Sequence, residues 1–209
     1  ASLGAHEAME VHEVLSCAIN TINHCQLLRP HIKEQQLGQM VDKQLAFMTQ
    51  EYNDLVHAAQ SQGMGVGSSY RSPQNFQPTY GLDNPTRQTP SMGPNQLNDQ
   101  QIASMVLSLH KSGAVCKMAA CLECADPNLR RLIQQSATNC AEQAYETWQY
   151  MNQKGYYQVP TMKDMTTNTF INAYGTAGTG MEQGASSIQQ HTASVGHQEQ
   201  LGNQDLMYQ

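Results

Sequence analysis

Residues 99–155 read DQQIASMVLSLHKSGAVCKMAACLECADPNLRRLIQQSATNCAEQAYETWQYMNQKG, and their apolar residues recur at steps of three and four. Such spacing is typical of amphipathic helices that turn one face toward a core. An Asp-Pro pair at 126–127 supplies a helix cap followed by proline at the first helical position, and Gly155 supplies a stop. The segment therefore predicts two helices, 99–125 and 127–154, joined as a hairpin. The expected inward residues are Ile102, Met105, Val106, Leu109, Gly113, Cys116, Ala120 and Cys124 in the first helix, and Leu129, Ile133, Ser136, Cys140, Ala144, Thr147 and Met151 in the second.

Residues 1–62 predict another helical hairpin, because their apolar residues follow the same spacing on both sides of a turn near Pro30. The expected inward residues are Ala8, Val11, Leu15, Ala18, Ile22 and Cys25 before the turn, and Leu37, Val41, Leu45, Met48 and Leu55 after it. We expect residues 99–155 to pack with 1–62 as one bundle. The predicted fold class is therefore all-α, an antiparallel four-helix bundle made of two helical hairpins.

Proline and glycine separate the two hairpins at residues 63–98. Five of the eight prolines of the chain fall there, a density that neither a helix nor a central strand tolerates. We expect an irregular linker that acts as a crossover, a binding arm or a spacer. The remaining segment, 156–209, is rich in Gln and Gly without an apolar period, which predicts an irregular tail that is disordered alone. Its candidate contacts with a neighbouring subunit are Tyr156, Tyr157, Phe170 and Tyr174.

Charge and composition limit the partners of this chain. Among its 209 residues are 11 Lys or Arg and 17 Asp or Glu, with a formal net charge of −6. Nucleic-acid binding is not expected, because no basic cluster is long enough to follow phosphates. The apolar runs are much shorter than the roughly 20 residues that span a bilayer, so no membrane span is expected. Only 13% of the residues are charged, about half the usual 25%, which indicates a neutral polar surface that packs against other molecules.

Carboxylates and histidines recur on the first helix and could mark a metal site. The candidate ligands on all helices are His6, Glu10, Glu13, Glu51, Asp54, His57, Glu142 and Glu146. Di-iron four-helix proteins take a Glu from each of two helices and a Glu-x-x-His pair from each of the other two. The second to fourth predicted helices contain no such pair. We therefore favour a solvated or subunit-contacting polar face, and keep a site for iron or manganese as the alternative.

Motifs of catalysis are missing from the sequence. There is no GxGxxG after a strand, no GxxxxGK[ST], no GxSxG and no HExxH. We expect no enzyme activity, no catalytic residue and no cofactor. Cys121 and Cys124 form a CxxC without the second half of a zinc site. The six cysteines are thus either small buried hydrophobes or thiols that oxidise late.

Two stretches of the sequence are distinctive. They are AHEAMEVHE at 5–13 and the run from Asp99 that closes with YMNQKGYY at 150–157, which is the most specific string. Both resemble the Coat F family of bacterial endospore coat proteins. The resemblance implies a ferritin-like four-helix bundle and a structural role in the spore coat or on the spore surface. It carries over no catalytic residue, because the family has no defined catalytic activity. The long linker, the six cysteines and the Gln/Gly tail depart from the family pattern.

The resemblance also implies synthesis in the reducing cytoplasm of the mother cell, and disulfide formation only after that cell lyses. Candidates for cross-linking are Cys17, Cys121 and Cys124, with an exposed Cys17 or Cys121 expected to react. The predicted function is a structural protein whose copies assemble into a layer or fibre, alone or with other spore coat proteins. The alternatives are a ferritin-like di-metal protein and an adaptor whose first-helix polar face docks another coat component.

Overall fold

Five α-helices make up the regular structure of the residues that the computed structural model describes, 3–60 and 67–177. They are α1 (Ala5–Leu28), α2 (Gln35–Ala59), α3 (Asp99–Leu122), α4 (Pro127–Gln153) and α5 (Asp164–Ile171). Short 3-10 turns follow α1 and precede α3. These two ranges contain no strand, only isolated bridges from Val159 to Tyr80 and Gly81. The predicted all-α class is confirmed.

Local sequence sets the start of α3 and of α4. The Asn98 side chain accepts a hydrogen bond from the backbone N–H of Gln101 at 2.9 Å, and the Gln101 side chain accepts from the backbone N–H of Asn98 at 3.1 Å. This reciprocal pair satisfies two N–H groups that the first turn of α3 leaves free. Asp126 caps α4 in the predicted way, because its side chain accepts from the backbone N–H of Asn128 and Leu129.

The ends of the same helices follow from proline and glycine. α3 ends at Leu122 rather than at the predicted residue 125. The chain has to leave the helix before Asp126, whose extended backbone is imposed by the following Pro127. α4 ends next to Gly155, as predicted, and Gly155 adopts a positive φ of 73° that most other residues avoid.

Two compact units divide the chain, one up to Thr161 and one from Met162 onward. In the first unit α3 packs along α4 and α1, and α2 contacts α1 and α4. Its buried apolar side chains form two clusters. The first core cluster consists of Cys25, Leu28, Leu37, Met40, Val41, Met48, Ile102, Ala103, Val106, Leu107, Ala144, Tyr150 and Met151. The second core cluster consists of Val11, Val14, Leu55, Ala120, Cys121, Cys124, Leu129, Leu132 and Ile133.

The predicted inward faces are confirmed in α4, where every expected residue is buried, and partly wrong in α1. Ala8 is exposed, and Leu15 and Ile22 are only half-buried. The buried residues of α1 are Glu7, Val11, Val14, Ala18, Thr21, Cys25 and Leu28. The buried face of α1 is shifted by about one residue from the predicted face, because some polar side chains of α1 have hydrogen-bond partners in the interior. Glu7, for example, accepts a hydrogen bond from the backbone N–H of Asp126 at 2.6 Å.

Candidate functional site

A layer of buried polar side chains lies between the two core clusters along α3 and α4. Its members are Gln44 and Glu51 from α2, His110 and Lys117 from α3, and Ser136, Asn139, Gln143, Glu146 and Thr147 from α4. We call this set the polar layer. Burying so many polar groups is unfavourable unless they are hydrogen-bonded to one another. Their partners therefore decide what chemistry the layer permits.

His110 is a neutral member of the polar layer. It is completely buried, and its Nε2 lies 2.8 Å from Oε1 of Gln44. Because the Gln44 Nε2 group donates toward the carbonyl of Gln143 and the hydroxyl of Thr147, Oε1 of Gln44 is left to accept from His110. Burial, together with the nearby Lys117 ammonium, lowers the pKa of His110 to about 3. His110 is thus an uncharged packing residue at neutral pH.

Lys117 and Glu51 form a buried ion pair in the same layer. Nζ of Lys117 lies 3.0 Å from Oε2 of Glu51, and both side chains are less than a tenth exposed. Nδ2 of Asn139 donates to the other carboxylate oxygen at 2.6 Å. Burial opposes the charged lysine, but the Glu51 carboxylate raises the pKa of Lys117, which lies above its ordinary value. The carboxylate of Glu51 is therefore already neutralised by a cation of the chain itself.

The irregular segment 67–79 lies along a row of polar side chains on α4. We call this row the α4 ladder, and its members are Asn139, Glu142, Glu146, Gln149 and Asn152. Steps of three and four residues place them on one side of the helix. They bond mainly to the backbone of the segment, through Ser68, Tyr70, Ser72, Pro73 and Thr79. The α4 ladder thus fixes segment 67–79, which lies in the connection between α2 and α3 and which we call the crossover.

Tyr70 is the side chain through which segment 67–79 reaches the polar layer. It is 6% exposed, its hydroxyl donates to Glu146, and its ring packs edge-on against Phe47 at 5.0 Å. Burial and the Glu146 carboxylate raise the pKa of Tyr70 above its ordinary value. Glu146 also binds Lys43 at 2.5 Å. This carboxylate is consequently shared by a tyrosine and a lysine.

Glu142 gives the crossover a dependence on pH. The hydroxyl and the backbone N–H of Ser72 donate to its carboxylate at 2.6 and 2.9 Å, and these bonds hold the pKa of Glu142 below its ordinary value of 4.5. Because the folded pKa is depressed, the stabilisation is present above 4.5 and is lost as pH falls through the folded value. Between about pH 7 and pH 3 we expect the free energy of unfolding to fall less for Glu142→Gln than for the unchanged protein, because the variant has no carboxylate to protonate at this position. Parallel curves for the two proteins would contradict the assignment.

The predicted metal ligands lie in several separate places. Glu51 and Glu146 lie in the polar layer with different partners, and Glu142 binds Ser72. On the surface, His6 lies 3.7 Å from Glu123, and Asp54 accepts from Gln50. Glu10 is half-buried, and Glu13 and His57 are exposed. Within residues 3–60 and 67–177, no three His, Cys, Asp or Glu side chains are arranged to hold an ion.

The three cysteines proposed for cross-linking differ in exposure. Cys121 is 1% exposed and Cys124 is 8% exposed, so the expectation of an exposed Cys121 is wrong. Cys121 lies on the inward face of α3, in the second core cluster, and its thiol donates to the carbonyl of Met118. Cys17 is half-exposed. Of the three, Cys17 is the thiol that solvent reaches most easily.

The aromatic residues proposed as subunit contacts also fall into two groups. Tyr156 packs against the first core cluster, and Tyr157 contacts the indole of Trp148 edge-on at 6.3 Å. Both therefore serve the first unit itself. In the second unit, Phe170 and Tyr174 pack against each other and are 59% and 72% exposed. The tail beyond residue 177 lies outside the described residues.

Sequence reasoning missed Gln44, Lys117 and Asn139 as members of the polar layer. Their signal was positional, since each occupies an inward position of its helix despite being polar.

None of the helices in the described part of the chain is long and apolar enough to cross a membrane.

Comparison with known proteins connects the geometry to a family. Residues 98–160 match the model of the Coat F domain, a span that contains all of α3 and α4. The chain is 28% identical over 176 residues to the spore coat protein F-like protein YhcQ of Bacillus subtilis (strain 168), covering 83% of this chain and 81% of that protein. The sequence-based resemblance to the Coat F family is confirmed.

A solved structure is similar in fold. It is a Bacillus halodurans protein provisionally named a spore coat protein, with a TM-score of 0.57 and 16% identity. The match covers 78% of this chain and 97% of that chain. At this identity the likeness concerns the fold alone.

Proposed function

This chain carries a Coat F domain, and from that premise we propose that it is a non-enzymatic structural protein of the spore coat. The observation that carries the proposal is the match of residues 98–160, because it contains the complete α3 and α4 with the α4 ladder. The name of the Bacillus subtilis relative supports the same role and the same location. The location is the spore coat, and synthesis in the mother-cell cytoplasm belongs to the proposal.

The finer architecture that we propose is an antiparallel four-helix bundle of the ferritin-like type. The membership of the two core clusters supports it. The first core cluster takes residues from the end of α1 and the start of α2, and the second takes residues from the start of α1 and the end of α2. The start of α3 and the end of α4 belong to the first core cluster, and the end of α3 and the start of α4 belong to the second. Neighbouring helices that run in opposite directions produce this division.

A structural role fits the way in which polar groups are used inside this protein. The Glu51 carboxylate is neutralised by Lys117, Glu146 is shared by Lys43 and Tyr70, and His110 is held neutral. These are side chains that hold helices and the crossover together. Nδ1 of His110, Oγ of Ser136 and Oε1 of Gln143 are buried without a hydrogen-bond partner, so the network is not complete. The bonds and ion pairs that it does contain join α2, α3 and α4 and thereby restrict how these helices pack. Rigid building blocks are suited to a layer that has to keep its shape.

We further propose that copies of the chain assemble into a layer or fibre, alone or with other coat proteins, through the residues beyond Thr161. Phe170 and Tyr174 present exposed aromatic rings in this unit, and aromatic residues are enriched at protein interfaces. A contact between two different surfaces propagates from copy to copy, whereas a two-fold contact closes as a dimer. The propagating form is the one that builds a coat.

Truncation after Thr161 tests the assembly proposal. Tyr156 and Val159 belong to the first unit, so this cut removes only the second unit. We expect the full chain to form filaments or sheets in electron micrographs, and the truncated chain to remain small in size-exclusion chromatography. Phe170→Ala with Tyr174→Ala is the milder variant, and Thr166→Ala is its matched control. A full chain that stays monomeric would favour the adaptor function, and unchanged assembly after truncation would rule out the second unit as the contact.

Oxidative cross-linking of the assembled copies is the last element of the proposal. It requires a thiol that another molecule can reach, and Cys17 meets this condition better than the buried Cys121 and Cys124. Burial also raises the pKa of Cys124, which disfavours its reactive thiolate. The proposed link between copies therefore depends on Cys17.

A further inference from the structure

The outward face of α3 carries an exposed row of apolar side chains. Val115 and Leu122 are 72% and 69% exposed, and Met118 and Ala119, which lie between them, are exposed as well. A surface helix normally turns one apolar side to the core and a polar side to solvent, whereas α3 is apolar on both sides. Contiguous exposed apolar surface marks a site of interaction. The row therefore indicates that α3 packs against a second molecule.

The row has the spacing of a coiled-coil seam. Ser108, Val115 and Leu122 follow one another at intervals of seven residues, and Lys111 and Met118 divide these intervals into steps of three and four. Two helices that pack side by side along their length use this spacing. At 1.5 Å per residue, the row from Ser108 to Leu122 is about 21 Å long. The partner that fits the row is another helix, packed lengthwise on α3.

The two ends of the row have complementary shapes. At one end the large side chain of Leu122 is exposed. At the other end a groove of about 350 Å³ lies between α1 and α3, beside the small Ser108 side chain and with Leu27 and Leu109 in its wall. Val115 lies midway between Ser108 and Leu122, so a second α3 that runs antiparallel and is centred there places each Leu122 opposite Ser108 of the other copy. The row is therefore complementary to itself, as a two-fold contact requires.

The charges of α3 are compatible with the same arrangement. A two-fold axis brings a residue face to face with its own copy, so a charged residue at the axis would be repelled. Val115 is uncharged, and Lys111 is the one charged residue of the row from Ser108 to Leu122 on the outward face. The Lys111 ammonium lies over the ring of Tyr157 in its own chain, 5.4 Å from the ring centroid. Because the chain has a formal net charge of −6, a neutral surface is where two copies approach most easily.

We propose that two copies of this chain pair through the outward faces of their α3 helices, which run antiparallel with Val115 at the two-fold axis. This inference goes beyond the proposed function, because it concerns a contact of the first unit that closes as a dimer. Each dimer carries two second units, so the contacts proposed beyond Thr161 then join dimers rather than single chains. The row contains no cysteine, and the proposed link through Cys17 of α1 is a separate contact.

Charge variants at position 115 of the full-length chain test the proposal. Phe170→Ala and Tyr174→Ala are included in every protein, so that contacts of the second unit do not obscure the measurement, and the chain with these two changes is the parent. We expect the parent to be a dimer in analytical ultracentrifugation. Val115→Glu and Val115→Lys should each raise the dissociation constant of the dimer at least about tenfold, because like charges then meet at the axis. An equimolar mixture of the two variants should pair again, since Glu then faces Lys.

Thr49→Glu is the matched control. Thr49 is an exposed β-branched residue of α2, a helix that packs against α1 and α4, and the change adds the same charge as Val115→Glu. We expect it to leave the dimer unchanged. Because Val115 is mostly exposed, all variants should keep the helix content and melting temperature of the parent monomer in circular dichroism.

Three results would overturn the inference: a parent that is monomeric at every concentration, a dimer that Val115→Glu leaves intact, and a mixture of the two charge variants that stays monomeric. If the parent still forms filaments, Val115→Cys replaces the measurement of mass. Mild oxidation should then join two chains through position 115 in peptide maps, and absence of this peptide pair would equally overturn the contact. Filaments of the native chain together with a monomeric parent would remove the α3 contact alone. A dimeric parent without filaments of the native chain would remove the second-unit contact alone.

Discussion

Lys117→Met is expected to lower the free energy of unfolding by about 3–5 kcal/mol. The ammonium of Lys117 lies 3.0 Å from the Glu51 carboxylate, and the two side chains are 5% and 9% exposed. Removing one partner leaves a buried charge that the remaining groups do not neutralise, and the cost of that charge exceeds the loss of the attraction itself. Methionine keeps most of the lysine volume, so the change tests charge rather than packing. Urea unfolding followed by circular dichroism measures the difference.

A double variant and a surface variant distinguish the ion pair from other causes. Lys117→Met with Glu51→Leu removes both charges and is expected to recover most of the lost stability, because apolar replacement of a buried pair is often neutral or stabilising. Lys111→Met on the same helix loses only an exposed lysine and its cation–π contact with Tyr157, and we expect a change below about 1 kcal/mol. Equal effects of Lys117→Met and Lys111→Met would show that Glu51 gains no stabilisation from Lys117.

Helix type and both ends of α4 could be predicted because local chemistry determines them. Asp126 with Pro127 starts α4 and Gly155 follows its end, and these residues act within a few positions of one another. The apolar spacing of α4 also identified its inward face correctly. Such features depend on the chain only over one or two helical turns. The Coat F resemblance was predictable for the same reason, since its most specific string, 150–157, is continuous.

The polar layer could not be predicted because its partners are far apart in the sequence. Lys117 occupies an inward position of α3, but its partner Glu51 lies on another helix and depends on how the helices align. The same holds for His110 with Gln44. A polar residue at an inward position looks like a defect until its partner is known. The error over Cys121 arose similarly, because the burial of a thiol depends on the helices that pack against it.

Asn139→Ala is expected to have the second-largest effect, a loss of about 2–4 kcal/mol in the free energy of unfolding. The Asn139 amide accepts from the backbone N–H of Tyr70 at 2.9 Å, and it donates to the carbonyl of Ser68 at 2.8 Å and to Glu51 at 2.6 Å. The Asn139 side chain is 1% exposed. Alanine has no amide, so these three groups lose a hydrogen-bond partner in a place that water reaches poorly. Each unsatisfied buried polar group costs about 1–3 kcal/mol, and partial entry of water reduces the sum.

The same variant should loosen the crossover more than it loosens the helices, because segment 67–79 depends on the α4 ladder for its backbone hydrogen bonds. We expect faster hydrogen exchange at the Tyr70 amide, and smaller changes at buried amides of α3 such as Val106. Gln135→Ala is the matched control, since Gln135 lies one turn earlier and only donates to the Asn139 side chain at 3.0 Å. Its expected cost is below about 1 kcal/mol. If exchange at Tyr70 were equally fast in both variants, the crossover would be held by Glu142 and Glu146, and Asn139 would serve the Lys117–Glu51 pair alone.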